Sequence, residues 1–436
     1  MAASDITSRA DAPQQFDLDR CVHCGLCLNA CPTYRQLGLE MDSPRGRIFQ
    51  MVQVAEGLAE ITPSYIRHID LCLACRGCET ACPSGVQYGR LVEAARAQIE
   101  SGRKRPWPES WIRAFAFRWL LPSRNWLRLV GWALAWHQRS GMQELARSTG
   151  LVDEFGEFGK AERLSPVVET PFFYSQYGKV FPAEGERRRR VAMLGGCIAN
   201  VFFARLNEAT VRVLTKNGCE VVIPDGQTCC GALHLHSGLA ADARALARRN
   251  LDAIAAADFD AIITNAGGCG STLKEYGHLL ADDPAYADRA REFAAKVRDV
   301  TEFLASMEWN RDFGPLPLRI TYQDSCHLAH GQKVRSGPRQ LLQSIPGIEF
   351  REMALAEQCC GSAGIYNLLE PEMSAAVLKA KMRNVQETAA QAIVTANPGC
   401  ILQLRAGVER HGRGQRVAHV VEILDEAYRA KASRGS

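Results

Sequence analysis

CVHCGLCLNACP, residues 21–32, is the stretch that decides the fold, and it recurs as CLACRGCETACP at residues 72–83. Both copies have the spacing C-x2-C-x2-C-x3-C-P. Thiolates at every third residue of a tight turn can reach three iron corners of one cube, while the fourth cysteine cannot bend back to it. The repeated pattern predicts a small helical domain that holds two [4Fe-4S] clusters.

The fourth cysteine of each copy is expected to ligate the other copy's cluster, as in two-cluster ferredoxins. We assign cluster 1 to Cys21, Cys24, Cys27 and Cys82, and cluster 2 to Cys72, Cys75, Cys78 and Cys31. The alternative is a pair of structural zinc sites, because C-x2-C also occurs in zinc ribbons. Zinc would take two cysteines from each copy and leave half of the eight unused, so clusters are favoured.

Two arginines, Arg45 and Arg47, lie between the cysteine runs beside the helical stretch IFQMVQVAEGLAE at 48–60. This stretch is expected to pack the two cluster loops together. Packed or solvated charge is the expected state of both arginines. The alternative is that they offset the negative charge of the thiolate-ligated clusters.

Length, charge and composition describe a globular protein of several domains. The 436 residues exceed what one hydrophobic core supports, so two or three domains are expected. The net charge of +4, from 52 basic and 48 acidic residues, argues against nucleic acid as a partner. No run approaches about eighteen uncharged apolar residues, and the opening MAASDITSRADAPQQFDLDR lacks the apolar core of a secretory signal. We therefore predict a cytoplasmic location, in which the 17 cysteines serve as metal ligands or catalytic groups more often than as disulfides.

The cysteines also divide the chain, because eight fall between Cys21 and Cys82 and none between Cys82 and Cys197. Residues 1–102 are predicted to form the two-cluster domain. Residues 103–190 contain six of the seven tryptophans and are predicted to be a helical linker, broken at Pro122. The run of arginines at 187–190 is expected to end this linker in solvent.

A repeat follows the linker. The cysteines at 197, 229, 230 and 269 recur at offsets of 129, 130 and 131 residues, with glycine after each adjacent pair. Short β-rich runs alternate with helical patterns, as in VAMLGG at 191–196, and DAIITNAGG at 260–268 matches QAIVTANPG at 391–399. This alternation predicts a small parallel sheet flanked by helices in each copy. The expected class is α+β and multidomain, with α/β modules at 191–312 and 313–436.

Each module brings together four thiols that are candidate ligands of a further cluster. They are Cys197, Cys229, Cys230 and Cys269 in the first module, and Cys326, Cys359, Cys360 and Cys400 in the second. Three alternatives stay open at this point: one cluster in each module, one in the second module only, or metal-free thiols that shape a partner surface.

Four histidines lie close to these cysteines in the sequence, namely His234, His236, His327 and His330. A histidine beside a thiol cluster can act as a ligand or a proton shuttle. The commoner role is that of a satisfied polar group at a sheet edge. Asp324 is expected to hold a backbone turn rather than to act in acid–base chemistry.

The linker sequence FAFRWLLPSRNWLRLVGWALAW at 115–136 combines tryptophan with arginine. This combination suits a membrane interface and is equally typical of protein interfaces. Three interpretations stay open: a helical pair packed over the two-cluster domain, a docking site for a partner subunit, and peripheral contact with a membrane.

No dinucleotide fingerprint is present. The glycine pairs at 195–196 and 267–268 lack the G-x-G-x-x-G pattern in a strand–turn–helix setting. We expect neither flavin nor nicotinamide on this chain and assign it no catalytic residue, so hydride chemistry must take place elsewhere.

Residues 21–48, CVHCGLCLNACPTYRQLGLEMDSPRGRI, and residues 72–86, CLACRGCETACPSGV, resemble the iron-sulfur subunit of glycolate oxidase. The similarity extends through both modules, which resemble the cysteine-rich CCG module of the heterodisulfide reductase B subunit. In that module the last element is often C-x-x-C, but its first position here is Ala266 in one copy and Asn397 in the other. This departure argues against the five-cysteine cluster of heterodisulfide reductases.

The resemblance implies an electron-transfer subunit whose eight N-terminal cysteines match the family's cluster ligands. In that family the subunit joins flavin-binding subunits that oxidise glycolate to glyoxylate, and it passes electrons toward quinone or another respiratory acceptor at the cytoplasmic face of the inner membrane. One alternative is the iron-sulfur subunit of a D-lactate or glycerol-3-phosphate dehydrogenase, although PRGRI at 44–48 disfavours the latter. Others are a disulfide or quinone reductase acting at the CCG modules, and a metal-sensing or scaffold protein with zinc knuckles.

Overall fold

The structure, a computed structural model, describes residues 11–150, 162 and 165–432. The first ten residues, on which part of the expectation about a secretory signal rests, lie outside the described residues. Among the described residues, no helix combines the length and the apolar character needed to cross a bilayer.

The N-terminal domain is helical, as predicted. Its helices are Gln15–Leu18, Pro32–Leu37, Pro44–Ala55, Pro63–Asp70, Gly77–Thr80 and Tyr88–Gly102, with a 3-10 turn at Glu40–Asp42. The hydroxyls of Ser43 and Thr62 cap two of these helices by accepting backbone N–H bonds, and a proline follows each cap. The Pro44–Ala55 helix contacts the helices at 63–70 and 88–102, so it forms the centre of this domain.

The linker consists of two helical segments, one before and one after Pro122, each made of two elements. Its elements are Glu109–Ala114, a π-helical turn at Phe115–Leu120, Arg124–Arg139 and Met142–Ser148. The break falls around Pro122, as the sequence predicted. The Arg124–Arg139 helix packs Leu127 and Ala135 against Val201 of the first module, and a Cβ at Gly131 would lie 2.9 Å from Val201. This helix therefore rests on the first module and not on the two-cluster domain, which differs from one interpretation of the sequence.

The first module is built on a five-stranded sheet. Its strands are β1 Val180–Phe181, β2 Arg189–Met193, β3 Cys219–Val222, β4 Ala261–Thr264 and β5 Val297–Asp299, in the order β1-β3-β2-β4-β5. All neighbours are parallel except β1 and β3. Strand β2 begins at Arg189, so part of the arginine run expected to end the linker in solvent belongs to the sheet, with its side chains exposed.

Helices cover both faces of this sheet. They are Ala199–Phe202, Ala204–Lys216, Ala232–His236, Ala240–Ala253, Gly267–Lys274, Tyr276–Leu279, Ala287–Lys296 and Val300–Ala305, with 3-10 turns at Phe173–Gln176 and Ala256–Asp258.

The second module repeats the arrangement with a four-stranded parallel sheet. Its strands are β6 Leu318–Tyr322, β7 Ile348–Phe350, β8 Ala392–Thr395 and β9 Arg416–His419, in the order β7-β6-β8-β9. Its helices are Ser336–Gln343, Tyr366–Leu369, Pro371–Glu387, Pro398–His411 and Val420–Ala432, with a π-helical turn at His327–Gly331. The predicted α+β class with two repeated modules is confirmed.

The two modules share one hydrophobic core, which contains Ile263 and Val300 of the first module and Ile393 and Val421 of the second. Their closing helices also start alike. Asp299 caps the first by accepting from the backbone N–H of Thr301, and His419 occupies the matching position before the second. The internal repeat therefore extends from the cysteine spacing to the capping of individual helices.

Candidate iron-sulfur sites

The fourth cysteine of the first run lies beside the first three of the second run. One small cavity is lined by Cys31, Cys72, Cys75 and Cys78. The backbone N–H of Ala74 donates to Cys72 Sγ at 3.4 Å, and the Tyr88 hydroxyl donates to the same sulfur at 3.8 Å. We call these four cysteines the second set; they include the one residue that the crossed assignment takes from the other loop.

The loop backbones are wound tightly around the sulfurs. His23, Ala74 and Arg76 have φ values of 52°, 50° and 62°, in the left-handed region that non-glycine residues rarely adopt. The Ala74 N–H that reaches a sulfur belongs to one of these residues. The strain therefore brings a backbone amide to a thiol, which is what a thiolate-ligated cluster requires.

The thiols of the second set are crowded and buried. Burial raises the pKa of Cys75 and Cys78 well above the usual range, and the neighbouring thiols raise it further. Cys31, Cys72, Cys75 and Cys78 line one cavity, and a cube spreads its thiolate ligands over separate corners, so each of these thiols can bind a different iron. This donor set fits an iron-sulfur cluster.

Arg47 supplies a buried positive charge next to the second set. Its Nη1 lies 4.0 Å from Cys31 Sγ and donates to Thr33 Oγ1 at 3.2 Å. Nη2 pairs with Asp42 at 3.4 Å, and Nε donates to the carbonyl of His68 at 2.6 Å. The side chain is fully buried. Arg47 is therefore packed and not solvated. Its position beside the thiols also fits the alternative that it offsets the negative charge of a thiolate-ligated cluster.

The first set, Cys21, Cys24, Cys27 and Cys82, lies nearer the surface. Burial and the nearby thiols of Cys82 and Cys24 raise the pKa of Cys21, and burial together with Cys21 raises that of Cys27. Cys24 is exposed. Arg45, which is partly exposed, pairs with Glu40 at 2.7 Å instead of with a buried carboxylate. Water therefore screens this set more than the second.

In the first module four thiols form a chain at the carboxyl ends of the parallel strands, the edge where α/β folds place their sites. Cys197 Sγ lies 3.6 Å from Cys229 Sγ. Hydrogen bonds with Cys197 and then Cys230 raise the pKa of Cys229, and the hydrogen bond with Cys230 raises that of Cys269. As the acceptor of the Cys229 and Cys269 thiols, Cys230 has a lowered pKa. Cys197 and Cys269 keep partial exposure, so this site is partly open to the surface.

The second module repeats this chain of thiols in a closed setting. Cys326 contacts Cys359, and Cys360 contacts both Cys359 and Cys400. All four are buried. Asn397, which stands where the family often has cysteine, donates from Nδ2 to Cys400 Sγ at 3.3 Å. An amide donor therefore replaces a ligand at this position.

The second set and the second module meet directly. Cys75 packs against a buried cluster that contains both Cys326 and Cys359, closed by Leu73 and Tyr366. The Tyr366 hydroxyl donates to the carbonyl of Leu71 at 2.8 Å. In the first module Cys197 lies instead against the buried face of the linker. The modules therefore differ in what adjoins their cysteines.

The four histidines join domains. His234 Nε2 lies 2.7 Å from the Phe117 carbonyl of the linker, and His330 Nδ1 lies 2.8 Å from Thr80 Oγ1 of the N-terminal domain. His236 bonds Glu93 at 2.9 Å and stacks on His327, with 5.1 Å between the ring centroids. The His327 ring bonds the backbone of Ala74. Among the described residues, Nε2 of His327 and Nδ1 of His234 are buried without a hydrogen-bond partner.

Asp324 behaves differently from the expectation. Its carboxylate accepts two hydrogen bonds from the guanidinium of Arg339, each 2.8 Å long, where a turn-forming bond to the backbone was predicted. The reason is the Ser336–Gln343 helix, which places Arg339 over the end of strand β6.

Several residues of the site were missed from sequence. Tyr88 and Tyr366 carry no pattern that distinguishes them from core tyrosines, and the packing of Cys75 against the cluster of Cys326 and Cys359 joins distant parts of the sequence. The available signal was at Asn397, where a departure from an otherwise matched motif marks a position that still touches a sulfur.

Comparison with known proteins matches each part of this architecture. The model described as "4Fe-4S dicluster domain" matches residues 17–86, and "Cysteine-rich domain" matches 191–274 and 320–405. "Glycolate oxidase iron-sulfur subunit, linker region" matches residues 108–165. The Bacillus subtilis (strain 168) protein named "Probable glycolate oxidase iron-sulfur subunit" is 44% identical over 96% of this chain and 95% of its own length. The chain belongs to the glycolate oxidase iron-sulfur subunit family.

Two further proteins are similar to this chain. The "Glycolate oxidase iron-sulfur subunit" of Escherichia coli (strain K12) is 33% identical over 94% of both chains. "Lactate utilization protein A" of Oceanobacillus iheyensis is 33% identical over 54% of this chain and 96% of its own length. The family resemblance predicted from the cysteine runs is confirmed. As a member of this family, the chain is an iron-sulfur subunit with clusters in its N-terminal domain.

Proposed function

We propose that this chain carries electrons from the flavin-binding subunits of a glycolate-oxidising complex toward a respiratory acceptor. The observation that carries the proposal is the cavity in which Cys31 meets Cys72, Cys75 and Cys78. Glycolate is favoured as the substrate of the complex because the relatives that match nearly the whole chain are glycolate oxidase subunits by name.

The ligands of the two N-terminal clusters are proposed to follow the crossed pattern. Cys21, Cys24, Cys27 and Cys82 would hold cluster 1, and Cys72, Cys75, Cys78 and Cys31 would hold cluster 2. The cavity supports the second assignment, and the electrostatic coupling of Cys21 with Cys82 supports the first. A bound [4Fe-4S] cluster supplies one-electron chemistry at a potential set by its surroundings.

Electrons are proposed to enter near the first set. Cys24 is exposed there, and Val22, Leu26 and Phe49 expose large apolar side chains on the same loops and on the adjoining helix. Exposed apolar side chains around a redox site suit a partner surface. The flavin-binding subunits would therefore contact this end of the N-terminal domain.

The exit from the N-terminal domain is proposed at Cys75. The proposal is supported by the packing of Cys75 against the buried cluster that contains Cys326 and Cys359, two thiols of the second module. We propose that Cys326, Cys359, Cys360 and Cys400 hold a third cluster, and that Cys197, Cys229, Cys230 and Cys269 hold a fourth. The partly open site of the first module would then lie last in the series, nearest to the acceptor.

Two measurements test this function. Iron and acid-labile sulfide per chain, after purification without oxygen, should reach about sixteen of each; about twelve would leave one module empty, and about eight would leave both empty. Glycolate-dependent reduction of a dye should appear only when the flavin-binding subunits and this chain are combined, with D-lactate as the competing substrate. A colourless chain, or dye reduction equally fast without it, would contradict the proposal.

A further inference from the structure

The linker exposes an unusually large apolar surface. Six tryptophans leave between 41% and 80% of their area in solvent: Trp107, Trp111, Trp119, Trp126, Trp132 and Trp136. Ring contacts connect the two helical segments, since Phe115 stacks on Trp111 and meets Trp126 edge-on. These contacts join Trp111, Phe115 and Trp126 across the two segments. We call the exposed tryptophans of the linker together the tryptophan face.

The Arg124–Arg139 helix has two apolar sides. Its inner side packs on the first module through Leu127, Gly131 and Ala135. Its outer side presents apolar residues at helical spacing, all of them exposed: Trp126, Leu129, Val130, Ala133 and Trp136. A helix that had only to cover the module would keep this outer side polar. No other described part of the chain covers it.

Charge around this face is positive, although six of its basic residues pair with carboxylates: Arg103, Arg105, Arg113, Arg118, Arg124 and Arg147. Residues 103–147 contain nine basic and two acidic residues, a net charge of +7, so the rest of the chain carries −3. The Arg124–Arg139 helix has no acidic residue. Arg124 pairs with Asp225 of the first module at 2.8 Å. Arg128 and Arg139 are exposed on the same helix without a carboxylate partner among the described residues, and such long side chains can keep their charge in water while the stripe is buried.

We propose that the tryptophan face binds the surface of an anionic lipid bilayer, lying in the plane of the headgroups. An apolar stripe with tryptophan, flanked by arginine and almost free of acidic residues, is the pattern of an interfacial helix. Indole rings suit that depth because the ring body is apolar and its N–H stays wet. Lys104, Arg128 and Arg139, which no carboxylate of the described residues neutralises, complement anionic headgroups in a way that a neutral protein partner would not require.

The inner side of the same helix gives this binding a consequence, which rests on the proposed function. Cys197 of the first module packs against the buried face of the linker. An α-helix is about 10 Å across, so a bilayer touching the outer side would lie roughly one helix diameter from that cysteine. The last thiol site in the series would then face an acceptor dissolved in lipid.

The test uses the full chain, loaded with iron and purified without oxygen, and vesicles of phosphatidylglycerol with phosphatidylethanolamine. Flotation should carry the chain with these vesicles and not with vesicles of pure phosphatidylcholine, and binding should weaken with salt. Because six of the seven tryptophans lie on the linker, their emission should shift to the blue, and brominated lipid should quench it.

Substitutions distinguish binding through the tryptophan face from nonspecific binding to the vesicles. Trp126→Glu together with Trp136→Glu should reduce binding at least about tenfold. Arg128→Gln alone should reduce it about fivefold. Leu58→Glu is the control, since Leu58 is more exposed than either tryptophan but lies on the N-terminal domain, and this variant should bind as the native chain does. Iron content and circular dichroism check that each variant is folded.

Three results would overturn the proposal. One is the absence of flotation with anionic vesicles. Another is equal binding by the Trp126 and Trp136 double variant. The third is protection of the tryptophans by the flavin-binding subunits without any lipid, which would make the face a protein interface. Membrane binding and iron content are measured separately, so failure here leaves the electron-carrier function standing.

Discussion

Arg47 holds a fully buried guanidinium 4.0 Å from the sulfur of Cys31, the one cysteine that the second set takes from the other loop. Its counterpart near the first set, Arg45, is partly exposed and pairs with the exposed Glu40. Each set consists of four cysteines, so this difference in buried charge is a local feature that can separate the reduction potentials of the proposed clusters.

Arg47→Gln is expected to lower the reduction potential of the cluster at the second set, on the order of 100 mV. The cause is the loss of a buried positive charge that favours the more negative, reduced state. A redox titration followed by electron paramagnetic resonance measures it. Arg47→Lys should restore most of the potential, and Arg45→Gln should shift the first cluster much less. Equal shifts in both arginine-to-glutamine variants would rule out a role for burial.

The same substitution should also destabilise the N-terminal domain by about 3 kcal/mol, because Asp42 would remain buried without its main cation. Chemical denaturation followed by circular dichroism measures this loss. If stability falls while the potential stays constant, Arg47 has only a structural role.

The crossed wiring predicts which cysteine variants resemble each other. Cys31→Ala should lose the same centre as Cys78→Ala, and Cys82→Ala the same centre as Cys27→Ala, with about four irons lost in each case. Iron analysis and the resonance spectrum of the surviving centre identify which one is gone. Matching losses in Cys31→Ala and Cys27→Ala would mean that each run binds its own cluster.

The packing of Cys75 against the cluster that contains Cys359 predicts an asymmetry between the modules. Cys359→Ser should alter the line shape or potential of the cluster at the second set, because it changes a group packed against one of its ligands. Cys229→Ser, the equivalent change in the first module, should leave that cluster unaffected. Two variants with identical effects would show that proximity to Cys75 is irrelevant.

His419 gives the protein a specific sensitivity to acid. Burial lowers its pKa from the usual 6.5 to about 4. Between these two pH values, His419 is protonated in the unfolded chain and neutral in the folded chain. Folding stability should therefore fall as the pH drops from 6.5 toward 4, by about 2 kcal/mol at pH 5. His419→Asn, which keeps a cap for the Val420–Ala432 helix, should remove this part of the slope.

Denaturation at pH 7 and pH 5 checks this prediction. The native chain should lose about 2 kcal/mol more than the variant between the two values. Parallel losses in the two proteins would assign the acid sensitivity to other groups.

Local patterns were sufficient for much of the fold. The runs at 191–196 and 260–268 predicted strands β2 and β4, and the match of 391–399 to the latter predicted β8, because buried parallel strands need apolar residues on both faces. The break of the linker at Pro122 followed from proline chemistry.

Long-range relations could not be predicted in this way. The depth at which Arg47 is buried depends on where its helix packs. The exposure of Trp126 and Trp136 depends on which side of their helix faces the module. Asp324 found a side-chain partner because a later helix carries Arg339 to it. Each outcome is decided by tertiary packing, which the spacing of residues does not encode.

The common interior of the two modules makes the repeat a single cooperative body, although it reflects an internal duplication. The two modules bury Ile263 and Val300 in the same core as Ile393 and Val421. A chain divided between residues 312 and 313 would therefore expose apolar surface on both fragments. Neither half is then an independently folding domain. Each would aggregate when expressed alone, and the two fragments would associate only when co-expressed.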